Sequence, residues 1–443
     1  MTKKTFIQEQ AEQMTIFGDY EFLSYKETID TYEEFSNYIF PKGDTTFGFW
    51  MQTLADLEFL DLELQGLTEE FNIDPINRVV NFKGDEDLIR FRIAHLEKVR
   101  GKTTFYTDLV DEFGDTNAYA FHNLYPYKGK FYPRIVRTLI NTFKLKPHNS
   151  LLLDPFNGSG TTTHEASLMG IKSVGIDVTP MGIILSKLKN DLLFIHEREL
   201  NFTSNELQDI LDAIENRKWQ HTNPIIHKLM LVVYFDTVDA FARTSRYNRK
   251  GKVNLFIEKL NYIKNCYKKM VEIKFKYGLT FEYAHIIEGD VLELKNMNEM
   301  REKFDACITS PPYYFSIDYV GKDKIAYNYL GADMKKIESK YLGMKNGHPK
   351  SNYGGLPSRV AMYYEDLKES IKNISWALKP GGRLAIIIGD STVNGKKIPT
   401  TMTTKKFCEE SGLKFKRLIF NPLLGVRNRA IRGESVIICE KEK

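Results

Sequence analysis

Apolar positions recur along this chain with two periods. In the second two-thirds, short apolar runs alternate with amphipathic stretches of helical length. Leu151 to Leu153, Lys172 to Ile176, Ala284 to Asp290, Phe304 to Ile308 and Arg383 to Ile388 read as strands. Thr161 to Met169, Met181 to Leu192 and Tyr363 to Leu378 read as helices. Continuous apolar strands separated by helices predict a parallel sheet covered on both faces, an α/β fold. Two later strands, Phe415 to Phe420 and Ser435 to Cys439, predict a closing antiparallel hairpin. Between the second and third strands the alternation stops. An apolar helix, Ile225 to Phe241, and a basic amphipathic stretch, Phe256 to Tyr277, fill that interval, which reads as a helical subdomain. Upstream, Thr53 to Leu67, Asp87 to Val99 and Arg134 to Phe143 carry helical periodicity. The expected organisation is a helical region over 1–115, the first part of the core over 116–195, a helical insert over 196–283, and the rest of the core over 284–443.

Composition narrows this picture little. With 443 residues, 42% of them hydrophobic, the chain can bury a large core and one additional domain or insert. The net charge of +4 only mildly favours an anionic partner, so any nucleic-acid reading must rest on local clusters. Cys266, Cys307, Cys408 and Cys439 stand far apart and form no Cys-x-x-Cys pair, which argues against a zinc site or a disulfide framework. No signal peptide opens the chain and no uncharged apolar run reaches membrane length. A cytoplasmic protein is expected, with neither a metal nor a membrane partner.

Candidate chemistry gathers at two turns. The first strand ends at Asp154 and Pro155. It then passes through Phe156, Gly158 and Gly160 into the helix that starts at Thr161. Glycines admit close backbone approach, and a helix start offers free N–H groups. The next strand ends in Asp177, where an acidic side chain can hold a ribose diol. No Gly-Lys-Ser/Thr follows the glycines, so this is not a phosphate loop. The second turn, Ser310-Pro-Pro-Tyr313, closes the strand Phe304 to Ile308. A third feature is the basic run Arg243, Arg246, Arg249, Lys250 and Lys252, interleaved with Tyr247 and Asn248. It suits phosphate contact, and a solvated charged loop is the competing reading.

Taken together, Asp154-Pro-Phe-Asn-Gly-Ser-Gly-Thr-Thr162 and Ser310-Pro-Pro-Tyr313 resemble the S-adenosylmethionine-dependent amino-methyltransferases of DNA, which methylate cytosine N4 or adenine N6. The resemblance runs from about Phe121 to the C-terminus. It extends to the Tyr125-Pro-Tyr127 and Lys130-Phe131 segment, and to Ile317-Asp-Tyr-Val320 after the tetrapeptide. It implies a Rossmann-like, seven-stranded class I methyltransferase sheet. It also implies S-adenosylmethionine held by Lys130, Asp154, Pro155, Phe156, Gly158, Gly160, Thr161, Asp177 and Asp290. Ser310, Pro311, Pro312 and Tyr313 would form the catalytic turn, acting on a base flipped out of double-stranded DNA. Serine in first place leans toward cytosine N4. A restriction–modification role with a cognate endonuclease is the context this resemblance implies. Here the cofactor motif precedes the catalytic one, the reverse of many members, and the insert stands where no target-recognition domain is usual. The seat of sequence readout is therefore open.

Other readings remain at this stage: an adenine-N6 enzyme, an RNA exocyclic-amine methyltransferase, a non-catalytic nucleic-acid-binding subunit, and, last, an oxidoreductase. The Gly-, Lys- and Asn-rich stretch from Lys335 to Arg359 reads as a mobile loop that could touch DNA.

Overall fold

Residues 44–243, 251–314, 321, 323–344, 348–351, 353, 356–393, 396–422 and 433–443 are described in a computed structural model. The N-terminal part carries five short strands, β1 (Thr46–Phe47), β2 (Glu70–Asp74), β3 (Val79–Lys83), β4 (Leu96–Val99) and β5 (Lys102–Thr103), in one antiparallel sheet of order β2-β3-β1-β4-β5. Helices Leu54–Leu67, Glu86–Arg92 and Phe105–Phe113 accompany it. Over the described residues 44–115 the expected helical region is thus corrected to a mixed α/β one, with a sheet beside its helices. The expected helix from Asp87 to Val99 is in fact a helix that ends at Ile93, in extended backbone, followed by β4. Strands of two to five residues are too short to show a period of two, so they left no mark on the pattern.

Downstream lies the sheet implied by the resemblance. Its strands are β6 (Leu151–Asp154), β7 (Lys172–Asp177), β8 (His285–Glu288), β9 (Phe304–Thr309), β10 (Leu378–Ile388), β13 (Leu413–Pro422) and β14 (Gly433–Lys441), ordered β13-β14-β10-β9-β6-β7-β8. A two-stranded ribbon, β11 (Ser391–Val393) with β12 (Lys396–Ile398), stands apart. All neighbours from β8 through β10 are parallel, and β14 runs antiparallel between β10 and β13. This is the Rossmann-like, seven-stranded sheet with a closing antiparallel strand pair that the resemblance implies.

Alternation along the central strands sorts their side chains onto two faces. Leu152, Ala306, Ala385 and Ile387 pack under helices Leu54–Leu67 and Pro133–Thr142. Leu153, Cys307, Leu384, Ile386 and Ile388 pack under helices Ser358–Ala377 and Thr400–Glu410. Burial of both faces explains why these strands read as unbroken apolar runs. On the first face, Gly66 lies so close to the next helix that a Cβ would stand 2.1 Å from the Asn141 carbonyl.

The interval between β7 and β8 is helical as expected, with Ser204–Glu215, Pro224–Arg243 and Lys252–Tyr277. Its apolar positions join those of the N-terminal region in one hydrophobic cluster, where Leu229, Val232 and Phe256 meet the same core as Trp50, Tyr106 and Leu109. The insert therefore buries its apolar face within the protein. Among the described residues, no helix is long and apolar enough to cross a membrane.

Strand order reverses between β6 and β9. The chain leaves β6 toward β7 and β8 on one side, and leaves β9 toward β10 on the other. Open parallel sheets bind ligands at the C-terminal ends of such a pair.

Candidate active site

Asp154 closes β6 and is 1% exposed. It organises both turns of the switch point. Its Oδ1 accepts the Thr309 hydroxyl at 2.6 Å from the end of β9, and the Phe156 N–H at 3.1 Å from its own turn. Burial pushes its carboxyl up to about 6, against the downward pull of the Thr309 and Thr162 hydroxyls. Because the folded-state value lies above the ordinary 3.8, stability from the protonated form is fully present below about pH 4. It is lost as pH rises through about 6. Asp154→Asn keeps an acceptor for Thr309 and is expected to remove that dependence, worth about 3 kcal/mol across the interval. Urea titrations of both proteins at roughly pH 4.5 and pH 8, between which about 2 kcal/mol of it is expected to be lost, test this. Parallel pH profiles would refute it.

The two glycines of the turn have different duties. Both adopt positive φ, 48° at Gly158 and 78° at Gly160. A Cβ on Gly160 would stand 2.7 Å from the Ser186 Cβ, so this glycine lets helix Pro180–Asp191 pack against the turn. A Cβ on Gly158 would face the Tyr127 ring at 3.3 Å. Gly158 therefore lines the cleft, and its N–H donates to Asp177 Oδ2 at 2.6 Å. Asp177 Oδ1 accepts the Thr179 N–H at 2.8 Å, which fixes the carboxylate at the tip of β7. Thr161 is buried at the start of the following helix. Behind the turn the buried Lys189 ammonium donates to Ser159 Oγ at 3.3 Å, and burial drives its pKa well down.

That same helix is anchored by a buried ionic knot. Glu165 receives Arg137 Nε at 2.7 Å, the Tyr119 hydroxyl at 2.8 Å and a contact from His122 Nε2 at 3.1 Å. Burial alone would raise the Glu165 carboxyl, but Arg137 and His122 hold it below the ordinary range. Burial also pushes His122 down to about 4. The knot ties helix Thr161–Leu168 to the segment from Tyr119 to Lys130 that covers the turn. Lys130 itself donates to the His122 carbonyl at 2.9 Å and so fastens this cover; its neighbour Gly129 lines the cleft.

Between these walls lies an open cleft enclosing about 620 Å³, solvent at its mouth included. Pro155, Phe156, Gly158 and Asp177 line one part of it. Asp290, Val291, Ser310 and Pro312 line another. Asp290 caps the short turn after β8 through the Leu292 N–H at 2.9 Å. The turn from Ser310 to Tyr313 is braced from outside: the Tyr363 hydroxyl donates to the Pro312 carbonyl at 3.0 Å, and the Tyr313 hydroxyl donates to Glu434 Oε1 at 2.8 Å. Thus the two motifs, though distant in sequence, open into one space.

Comparison with known proteins agrees with this geometry. A family profile described as DNA methylase matches residues 24–183, and one described as an RMKL-like methyltransferase domain matches residues 124–345. The type II methyltransferase M.BsoBI of Geobacillus stearothermophilus is 24% identical over 438 residues, covering 74% of this chain and 85% of that protein. The type II methyltransferase M.MjaII of Methanocaldococcus jannaschii is 41% identical over 71 residues, 15% of this chain and 12% of its own. The chain belongs to the methyltransferases, and the DNA methylase profile supports its place among the DNA amino-methyltransferases. Among solved structures, TrmN from Thermus thermophilus aligns with a TM-score of 0.31 at 12% identity, over 71% of this chain and 50% of that one.

A DNA methyltransferase of this family uses S-adenosylmethionine, and the cleft suits it. The Asp177 and Asp290 carboxylates favour a phosphate-free nucleoside carrying a sulfonium charge, and the glycine at 158 leaves room for close approach. When bound, that cofactor supplies an electrophilic methyl group.

Several wall residues left no signal in the sequence. Lys340, Tyr341 and Leu342 line the cleft, within the stretch expected to be a mobile loop. The helix Met334–Glu338 and the bond from Arg359 Nη1 to the Gly343 carbonyl at 3.2 Å build part of that stretch into the fold. The Tyr127 ring stands over Gly158. Of the basic run, Arg246, Arg249, Lys250 and the side chain of Arg243 lie outside the described residues, as does Ile317-Asp-Tyr-Val320. Lys252 starts a helix and pairs with Glu215.

Proposed function

We propose that this DNA methyltransferase is site-specific, that it acts on cytosine N4, and that it works beside a cognate endonuclease in a restriction–modification system. The observation that carries the mechanism is the placement of Ser310-Pro-Pro-Tyr313 at the end of β9, beside the cofactor turn of β6, with Ser310 and Pro312 lining the same cleft. An exocyclic amine is a poor nucleophile because its lone pair is delocalised into the ring. In this reading the Ser310 hydroxyl oxygen and the Pro311 carbonyl accept the amine hydrogens and turn the lone pair toward the methyl donor. Pro311 and Pro312 stiffen the turn, and the Tyr313 ring stacks on the flipped base. Serine at the first position supports cytosine, following the family leaning. The type II names of M.BsoBI and M.MjaII support the restriction context. DNA contacts are assigned to Arg243, Arg246, Arg249 and Lys250, with a lesser part for Lys252, whose ammonium already has a carboxylate partner.

Nucleoside mass spectrometry on DNA and RNA from a methylation-deficient host expressing this chain decides the matter. N4-methylcytosine in DNA is the expected mark. N6-methyladenine would overturn the base assignment and keep the site. A mark in RNA alone, or none in either pool, would overturn the reading.

A further inference from the structure

The candidate catalytic turn is clamped at three points. Thr309 bonds Asp154 on the neighbouring strand, and Tyr363 bonds the Pro312 carbonyl from the covering helix. The third clamp is of another kind. Tyr313 donates its hydroxyl at 2.8 Å to Glu434, a residue 121 positions away that is only 9% exposed. Glu434 is the second residue of β14, a strand hydrogen-bonded on both sides, with Asn421 opposite Glu434 and with Ser435 opposite both Ile388 and Phe420. Its backbone is therefore held by β13, next to a residue that is held from both sides.

Burying a carboxylate is costly unless a donor meets it. Burial raises the Glu434 carboxyl, and the Tyr313 hydroxyl opposes that rise. For packing alone, an apolar side chain at this edge would serve as well. What the carboxylate adds is a directed acceptor for one hydroxyl. A tyrosine ring held only at its Cβ can swing about its first torsion; anchored also at its far end, it keeps one plane. A base drawn out of the duplex loses its stacking partners and regains them on such a platform. If the platform tilts, the amine leaves the line of transfer.

We propose that Glu434 is a positioning residue, whose carboxylate fixes the Tyr313 ring as the platform for the target base. The inference rests on the assignment of Ser310 to Tyr313 as the base-binding turn, and it extends the site to the last strand of the sheet.

Single-turnover transfer of labelled methyl from S-adenosylmethionine to unmethylated host DNA, with the full-length chain, provides the test. Glu434→Met keeps length and removes the acceptor; it is expected to slow transfer about tenfold or more while cofactor binding, read by calorimetry, is unchanged. Glu434→Gln retains a carbonyl acceptor and is expected to stay within about threefold of the unaltered enzyme. Tyr313→Phe should match Glu434→Met, and the double variant should be no slower than either single one. Unaltered rates for Glu434→Met, a Gln variant as slow as the Met variant, or multiplying losses would each overturn the proposal. If Glu434→Met does not fold, Tyr313→Phe decides alone, and a normal rate there overturns it. Ser310→Ala run alongside separates the two readings. An active Ser310→Ala removes the turn itself. An inactive Ser310→Ala beside a normal Glu434→Met removes only the role of Glu434.

Discussion

Ser310→Ala is expected to lower methyl transfer about 10²-fold while leaving S-adenosylmethionine binding intact. The hydroxyl lies at the C-terminal end of β9 and lines the cleft with Pro312 and Asp290. Losing it removes one of the two acceptors that would turn the amine lone pair, and leaves the walls around Gly158 and Asp177 unaltered. The loss should fall on kcat, because the contact matters most as the nitrogen changes geometry. Calorimetry with S-adenosylmethionine and single-turnover transfer, on the same preparation, check it. A rate within a factor of about three of the unaltered enzyme would remove Ser310 from the mechanism. A parallel loss of cofactor affinity would mean that the turn had moved as a whole.

Arg137→Met should give the largest stability loss of any single replacement considered for this chain. Arg137 and Glu165 are both wholly buried, and the guanidinium meets the carboxylate through Nε at 2.7 Å and Nη2 at 2.6 Å. Removing the cation strands Glu165 among Tyr119 and His122, and His122, pushed down to about 4 by burial, supplies no compensating charge at neutral pH. Breaking a buried pair on one side costs about 3–5 kcal/mol. Urea unfolding followed by circular dichroism at pH 7 measures it, and a loss below about 1 kcal/mol would contradict the account. Cofactor affinity should fall as well, since Glu165 belongs to the helix that follows Gly160. That second effect distinguishes the knot from an ordinary core contact.

Particular elements show what the amino-acid pattern could reveal. The runs around Leu152, Val174, Cys307 and Ile386 lie inside a sheet covered on both faces, so burial is continuous along them and the strands were legible. The turn at Gly158 and the tetrapeptide at Ser310 were legible because close approach and rigidity restrict which residues can stand there. Nothing local betrayed β1 to β5, since two to five residues cannot establish a period. Nor could the pattern reveal the partners of Glu165 and Tyr313. These bonds join positions 28 and 121 residues apart through tertiary closure, and a polar residue that will be buried looks like one that will be solvated. The wall from Lys340 to Leu342 was hidden for a similar reason: its neighbours suggested a loop, and its place in the cleft depends on the chain returning over β9.

The bond between Asp154 and Thr309 joins residues 155 positions apart, with the whole helical insert between them. The cleft depends on β6 and β9 lying side by side, not on which of them is synthesised first. A rearranged chain that made the two halves in the opposite order would present the same oxygens to the same space. The order of motifs along the chain therefore leaves the site unaltered, and such enzymes are better compared by neighbouring strands than by reading along the polypeptide.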